Sequence, residues 1–220
     1  MAVVQLFPQG KPGDEQRLAE FGLSSSDFHT AFSPGLSRAA NRSKLAPLNA
    51  AGTDLYNDGF ELLAQILVGR KWRHQPVMQQ PRVIHPDGKL QLALSSAQGV
   101  GDSDHRVTPK TRHKGPATLL SLDRSVPSSQ VPFDLPEFAQ DEPLSPALAG
   151  APFWFVLYQR EGSRLALALG RPAGTDSSDR VVDWSDMIGI EPLDGAGDMS
   201  VFGSGDDGDH DIDVPVEPRD

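Results

Sequence analysis

Three observations predict an α+β fold in which N-terminal helices pack on a mostly antiparallel sheet ahead of a disordered acidic C-terminal tail. Apolar residues recur at helical spacing from Leu55 to Leu67. Two stretches, residues 82 to 95 and 153 to 169, carry strand-type runs interrupted by Gly-containing turns. Beyond about residue 194, Gly and Asp dominate and apolar residues become isolated. The expected division is an N-terminal helical or irregular segment over 1–52, an α+β core domain over 53–193 and a flexible acidic tail over 194–220.

Taken in order, the first 50 residues are rich in Ser, Ala, Pro and Gly, with apolar clusters at Leu18, Phe21, Leu23, Phe28 and Phe32. They predict short helices broken by Pro34. The best helix follows. Thr53 suits its N-cap and Asp54 its positive end, and Leu55, Gly59, Leu62, Leu63, Ile66 and Leu67 form its stripe up to Gly69. Arg82 to His85 and Lys89 to Ser95 flank Pro86-Asp87-Gly88, a hairpin signal, and Leu90, Leu92 and Leu94 define one apolar face. Ala117 to Leu122 is expected as a third strand, and 123–150 as a long polar connection. Phe153 to Gln159 and Arg164 to Leu169 make a second hairpin around Glu161 and Gly162, and Arg180 to Trp184 and Met187 to Ile190 a further strand pair or a strand and a turn. Alternation places Phe153 and Phe155 on one face of the sheet and Trp154 and Tyr158 on the other.

Composition bounds the classes of function. The chain has 220 residues, 38% of them hydrophobic, no Cys and a net charge of −10. Disulfide frameworks, thiolate metal sites and cysteine nucleophiles are therefore excluded. The first ten residues lack a basic leader, and no run approaches the ~20 apolar residues of a membrane span, so a soluble cytoplasmic protein without membrane contact is expected.

The total charge conceals strong segregation. Residues 1–67 carry −2, 68–114 carry +6, 115–132 are neutral and 133–220 carry −14. The positive segment groups Arg70, Lys71 and Arg73 around Trp72, and Arg106, Lys110, Arg112 and Lys114 among glycines and prolines. The two clusters predict an anion site for nucleic acid or a phosphorylated ligand, with Trp72 available to stack on a base. The competing expectation is ordinary surface charge, or pairing with the acidic C-terminal third. Asp206, Asp207, Asp209, Asp211 and Asp213 could fold back over the cations as an electrostatic gate, and Ile212, Val214 and Val216 could add a strand to a protein partner.

Other motifs are weak. Gly99 and Gly101 begin like a dinucleotide loop, but Asp104 stands where a third glycine belongs, and no Gly-Lys-Ser/Thr occurs. Asp87-Gly88-Lys89 matches an acidic-x-Lys element, with Asp54, Asp58 or Glu61 as further carboxylates, which makes a metal-dependent phosphodiesterase or nuclease using Asp87 and Lys89 the rival reading. His74, His85 and Asp87, or His105 and His113, lack metal-ligand spacing, and the Gly205 to Asp213 stretch lacks a calcium-loop glycine. No cofactor is expected. The function expected is a non-enzymatic binding or interaction module acting through residues 70–114, with a purely structural or assembly subunit as a third class.

Overall fold

The computed structural model describes residues 11, 13–77, 80–102, 104, 107–122 and 150–195. The expected connection over 123–149, His105, Arg106 and the tail from 196 lie outside the described residues. The architecture is three N-terminal helices packed against a mixed, mostly antiparallel sheet of seven strands.

Helix α1 (Asp14–Glu20) leads into α2 (Ser25–Ala40), which opens with a capping box: Ser24 Oγ accepts from the Asp27 amide at 3.3 Å and Asp27 accepts from the Ser24 amide at 2.9 Å. Pro34 does not break this helix, contrary to expectation. An internal proline costs about 3 kcal/mol. Phe28, Ala31, Phe32 and Leu36 are at most 1% exposed, and burying each of the three larger side chains contributes about 1.5–3 kcal/mol, so core packing outweighs the lost hydrogen bond. Helix α3 (Ala50–Val68) begins four residues before the expected start, with Asn49 in place of Thr53 at the N-cap and the Thr53 hydroxyl, inside the first turns, donating to the Asn49 carbonyl at 3.0 Å. Gly35 and Gly59 bring α2 and α3 together, with a Cβ on Gly59 falling 2.6 Å from the Phe32 ring. Ion pairs Asp27–Arg70, Arg38–Asp58 and Arg42–Asp54 fasten this helical hairpin along its length.

The strands are β1 (Arg73–Val77), β2 (Gln80–Ile84), β3 (Gln91–Gln98), β4 (Lys110–Thr111), β5 (Phe153–Glu161), β6 (Arg164–Thr175) and β7 (Val181–Asp194). Their order is β1-β2-β3-β5-β6-β7, with β4 paired to β3. All neighbours are antiparallel except β3 and β5, which run parallel from Gln91↔Phe153 to Ser96↔Tyr158. Gly88, at φ 67°, makes the turn between β2 and β3. Residues 116–122 correct the expected third strand, forming helix α4 (Pro116–Leu122), where Pro116 fits a first helical turn that has no partner for its amide. The expected strand pair over 180–190 is one long strand, β7, with register shifts against β6.

Both faces of the sheet are buried. Leu92, Trp154, Val156, Tyr158, Leu167 and Ile188 pack on α1–α3. Ala93, Ala97, Phe153, Phe155, Trp184 and Met187 are among those forming the second face. There Gly170 admits the Trp184 ring, and Trp184 Nε1 donates to the Pro109 carbonyl at 2.8 Å. The outer edge of β7 is closed by helix side chains: Arg17 and His29 donate to the Met187 and Glu191 carbonyls at 2.8 and 2.7 Å, and Asp14 accepts from the Gly189 amide at 3.1 Å. The opposite edge is β1, which contains Pro76. Among the described residues no helix is long and apolar enough to cross a membrane.

Candidate anion-binding cleft

The end of the sheet where the parallel strands β3 and β5 finish carries an open cleft of about 640 Å³. Ser96, Ala97 and Gln98 of β3 and Tyr158, Gln159 and Arg160 of β5 line it, with Gly162 of the following turn. Lys110 to His113 and Arg180 close one side, and Ala51, Gly52 and Leu55 from the first turns of α3 close another. Four cations and one histidine therefore face this space, and none of the lining residues is Asp or Glu.

The cationic segment is held by backbone and short side chains, so its arginines are not needed to anchor it. The Val181 amide donates to Thr111 Oγ1 at 3.0 Å, and the Lys114 amide to the Asp179 carbonyl at 2.9 Å. His113 Nδ1 donates to the Ser178 carbonyl at 3.1 Å. Asp176 organises the β6–β7 turn, accepting from the Ser178 amide at 2.9 Å and the Arg180 amide at 3.0 Å, and pairs with Lys110 Nζ at 2.8 Å. The Lys110 hydrogen bond first, then that of the Arg180 amide, pull the Asp176 carboxyl down to about 2 against the opposing effect of burial. Arg160 Nε donates to the Gly162 carbonyl at 2.9 Å. Among the described residues the Arg112 and Arg180 guanidinium groups form no ion pair, and their charge is left for the cleft. Tyr158 lies at the cleft floor against Phe32, and burial, helped by Tyr56 and opposed by Arg112, pushes its hydroxyl up to about 12, which keeps it a neutral donor.

Of the two clusters expected from the sequence, only the second reaches this space. Lys110 and Arg112 line it. Arg70 and Lys71 follow the far end of α3, about 25 Å along the helix axis from Ala51. Arg70 is committed to Asp27 and to the Gly22 carbonyl at 3.0 Å, and Lys71 adopts φ 69° in the turn leading to β1, on which Arg73 stands. Trp72 is a core residue instead of a stacking platform, 4% exposed and edge-on to His85 at 4.9 Å, because the turn after α3 folds it under β2. Lys114 does not line the cleft, and its Nζ donates to Ser95 Oγ. Arg106 lies outside the described residues.

Asp87 and Lys89 occupy the turn between β2 and β3. The Asp87 side chain is 74% exposed, and Lys89 Nζ donates to the Glu20 carbonyl at 2.9 Å. The Asp54 and Asp58 carboxylates are turned to Arg42 and Arg38. Among the described residues no three His, Asp or Glu side chains converge as metal ligands. Arg160 and Arg180 had no local signal in the sequence, since each is a lone cation within the acidic third. The β5–β6–β7 register is what carries them to the cleft.

In comparisons with known proteins, no family model, curated protein or solved structure matches this chain.

Proposed function

We propose that this protein is a non-enzymatic binding module that takes a phosphate-bearing ligand, small or part of a nucleic-acid strand, in the cleft beyond β3 and β5. The observation that carries this reading is the gathering of Lys110, Arg112, Arg160 and Arg180 around one space without a lining carboxylate, in a chain whose net charge is −10. Lys110 is balanced by Asp176, but the arginines converge there against the trend of the whole molecule, and like charges brought together are costly unless an anion comes between them. The cleft volume lies within the ~300–1,000 Å³ typical of small-ligand sites. The arginines offer planar donor pairs that suit phosphate oxygens, and the first turns of α3 add their partial positive charge from Ala51 and Gly52.

Calorimetric titration with inorganic tripolyphosphate tests the proposal. Binding is expected at low salt, weakened about tenfold or more in the Arg112→Glu, Arg180→Glu double variant, and weakened steeply as salt rises from about 50 to 200 mM. Absence of binding at low salt, or equal binding by the double variant, overturns it.

A further inference from the structure

We propose that Lys114 is a carbonyl-reactive lysine, its amine seated between the Ser95 hydroxyl and the Phe155 ring with no carboxylate partner among the described residues, so that it forms an imine with aldehydes or ketones, those carrying a phosphate being favoured. The preference for phosphate rests on the anion-binding reading of the cleft; the reactivity of the amine does not.

Three features of the surroundings carry this. Lys114 Nζ donates to Ser95 Oγ and lies 4.9 Å from the centre of the Phe155 ring. The Ser95 hydroxyl donates in turn to the Ser96 carbonyl at 3.0 Å, so its oxygen is free to receive the lysine. The neighbouring side chains on this face are Ala93, Ala97, Phe155 and Trp184, none of which compensates a charge fully. The ionisable residues beside it are Arg112, of like sign, His113, and Asp179, whose carbonyl accepts from the Lys114 amide; the His113 and Asp179 side chains lie 4.0 Å from each other. Burial first, and the Arg112 charge second, lower the ammonium to about 8. With the ammonium at about 8, about a tenth of the amine is neutral at pH 7, far more than for an exposed lysine, and the neutral form is the nucleophile. Lys110, by contrast, is tied to Asp176.

The neighbourhood of the cleft is what favours a phosphorylated reactant. Ser95 and Ala97 lie on the same face of β3, two residues apart or about 7 Å, and Ala97 lines the cleft beside Lys110 and Arg112. Arg112, which lines the cleft and whose charge acts on Lys114, is the cation that would hold the phosphate of a short phosphorylated aldehyde or ketone near the amine. In the reaction the neutral Nζ lone pair attacks the carbonyl carbon and a carbinolamine forms. Its hydroxyl then departs as water, taking up the protons released from nitrogen, and a carbon–nitrogen double bond remains. Ser95 Oγ is the hydroxyl placed to pass a proton between the nitrogen and the departing oxygen.

The experiment treats the full chain with pyridoxal phosphate or with pyridoxal, reduces the imine with borohydride and maps the modified lysine by peptide mass spectrometry. Preferential labelling of Lys114 over the other five lysines is expected with both aldehydes, with a rate that rises through about pH 8 and is lower in Ser95→Ala. Lys114→Arg is expected to lose that label while retaining the wild-type circular dichroism spectrum. Labelling spread over the lysines without preference for Lys114 overturns the inference, whichever aldehyde is used. Preferential labelling by both aldehydes at equal rates upholds the reactive amine and counts against the anion-binding cleft.

Discussion

Asp14 accepts a hydrogen bond from the Gly189 amide at 3.1 Å, joining the first helix to the outer edge of the last strand across 175 positions of sequence. The same carboxylate accepts from the Lys11 amide, and Arg17 one turn later binds Asp186 and the Met187 carbonyl. Backbone groups that a terminal strand would otherwise leave open are satisfied by side chains. Asp14→Ala leaves the Gly189 amide without its acceptor and is expected to lower stability by about 1–3 kcal/mol in urea unfolding. Hydrogen exchange at Gly189 should accelerate in the variant, and unchanged exchange there would contradict this role.

Gly59→Ala separates two effects that oppose each other. Helix propensity alone favours alanine by about 1 kcal/mol in a helix interior. A Cβ at this position, however, lies 2.6–3.0 Å from three atoms of the fully buried Phe32 ring, which itself packs on Tyr158. Overpacking costs about 1–3 kcal/mol, so the net change is expected to be destabilising. A raised melting temperature would show that the ring yields.

Asp27 gives the fold a defined acid sensitivity. Burial raises its pKa, but the hydrogen bonds from Arg70 and Ser24 and the Arg70 charge more than reverse this, leaving the carboxyl below its usual value. A group with a depressed folded pKa contributes stability that is present above its unfolded pKa of about 4 and is lost as pH falls through the folded value. Between about pH 5 and pH 2 the wild type should therefore lose more unfolding free energy than Asp27→Asn. Parallel stability curves for the two proteins would rule the ion pair out as a source of acid lability.

Lys114 has the opposite dependence. Its folded pKa, at about 8, is below that of an exposed lysine, so protonation disfavours the folded state and the penalty fades as pH rises from about 8 toward 10.5. Lys114→Met retains much of the side-chain volume and removes the charge. At pH 7 the variant should equal or exceed the wild type in urea unfolding, with the difference narrowing above pH 8. A constant deficit across that range would show the ammonium to be stabilising where it sits.

The cleft arginines have a signature in salt dependence. With a fluorescent single-stranded oligonucleotide as probe, replacing one phosphate-contacting cation lowers the slope of log affinity against log salt by about 0.7. Arg112→Ala and Arg180→Ala should each show this, whereas Lys71→Ala, at the far end of α3, should leave the slope unchanged. An equal effect of all three would point to the field of the whole surface instead of a site.

Much of the fold was legible because its signals are local. The Leu55–Leu67 stripe, the Asp87-Gly88 turn and the alternation of Phe153 to Tyr158 each depend on neighbours a few positions away. Strand β1 was not, since Arg73-His74-Gln75-Pro76-Val77 has no apolar alternation and exists through pairing with β2. Pro34 misled because tertiary burial overrode its local cost, and 117–122 misled because a short apolar run does not by itself distinguish strand from helix. At the cleft, Lys110 and Arg112 were visible as neighbours in sequence. Counting adjacent charges also selected Arg70 and Lys71, which a long helix carries away, and passed over Arg160 and Arg180, which only the sheet register brings in.

The closure of β7 by α1 and α2 also restricts where another strand can add to the sheet. Among the described residues the sheet keeps open borders at β1 and at the two-residue β4, which pairs only with β3. A strand of a second copy that adds to this sheet therefore finds its longer free border at β1 and is turned away from the β7 side by the helix side chains seated there.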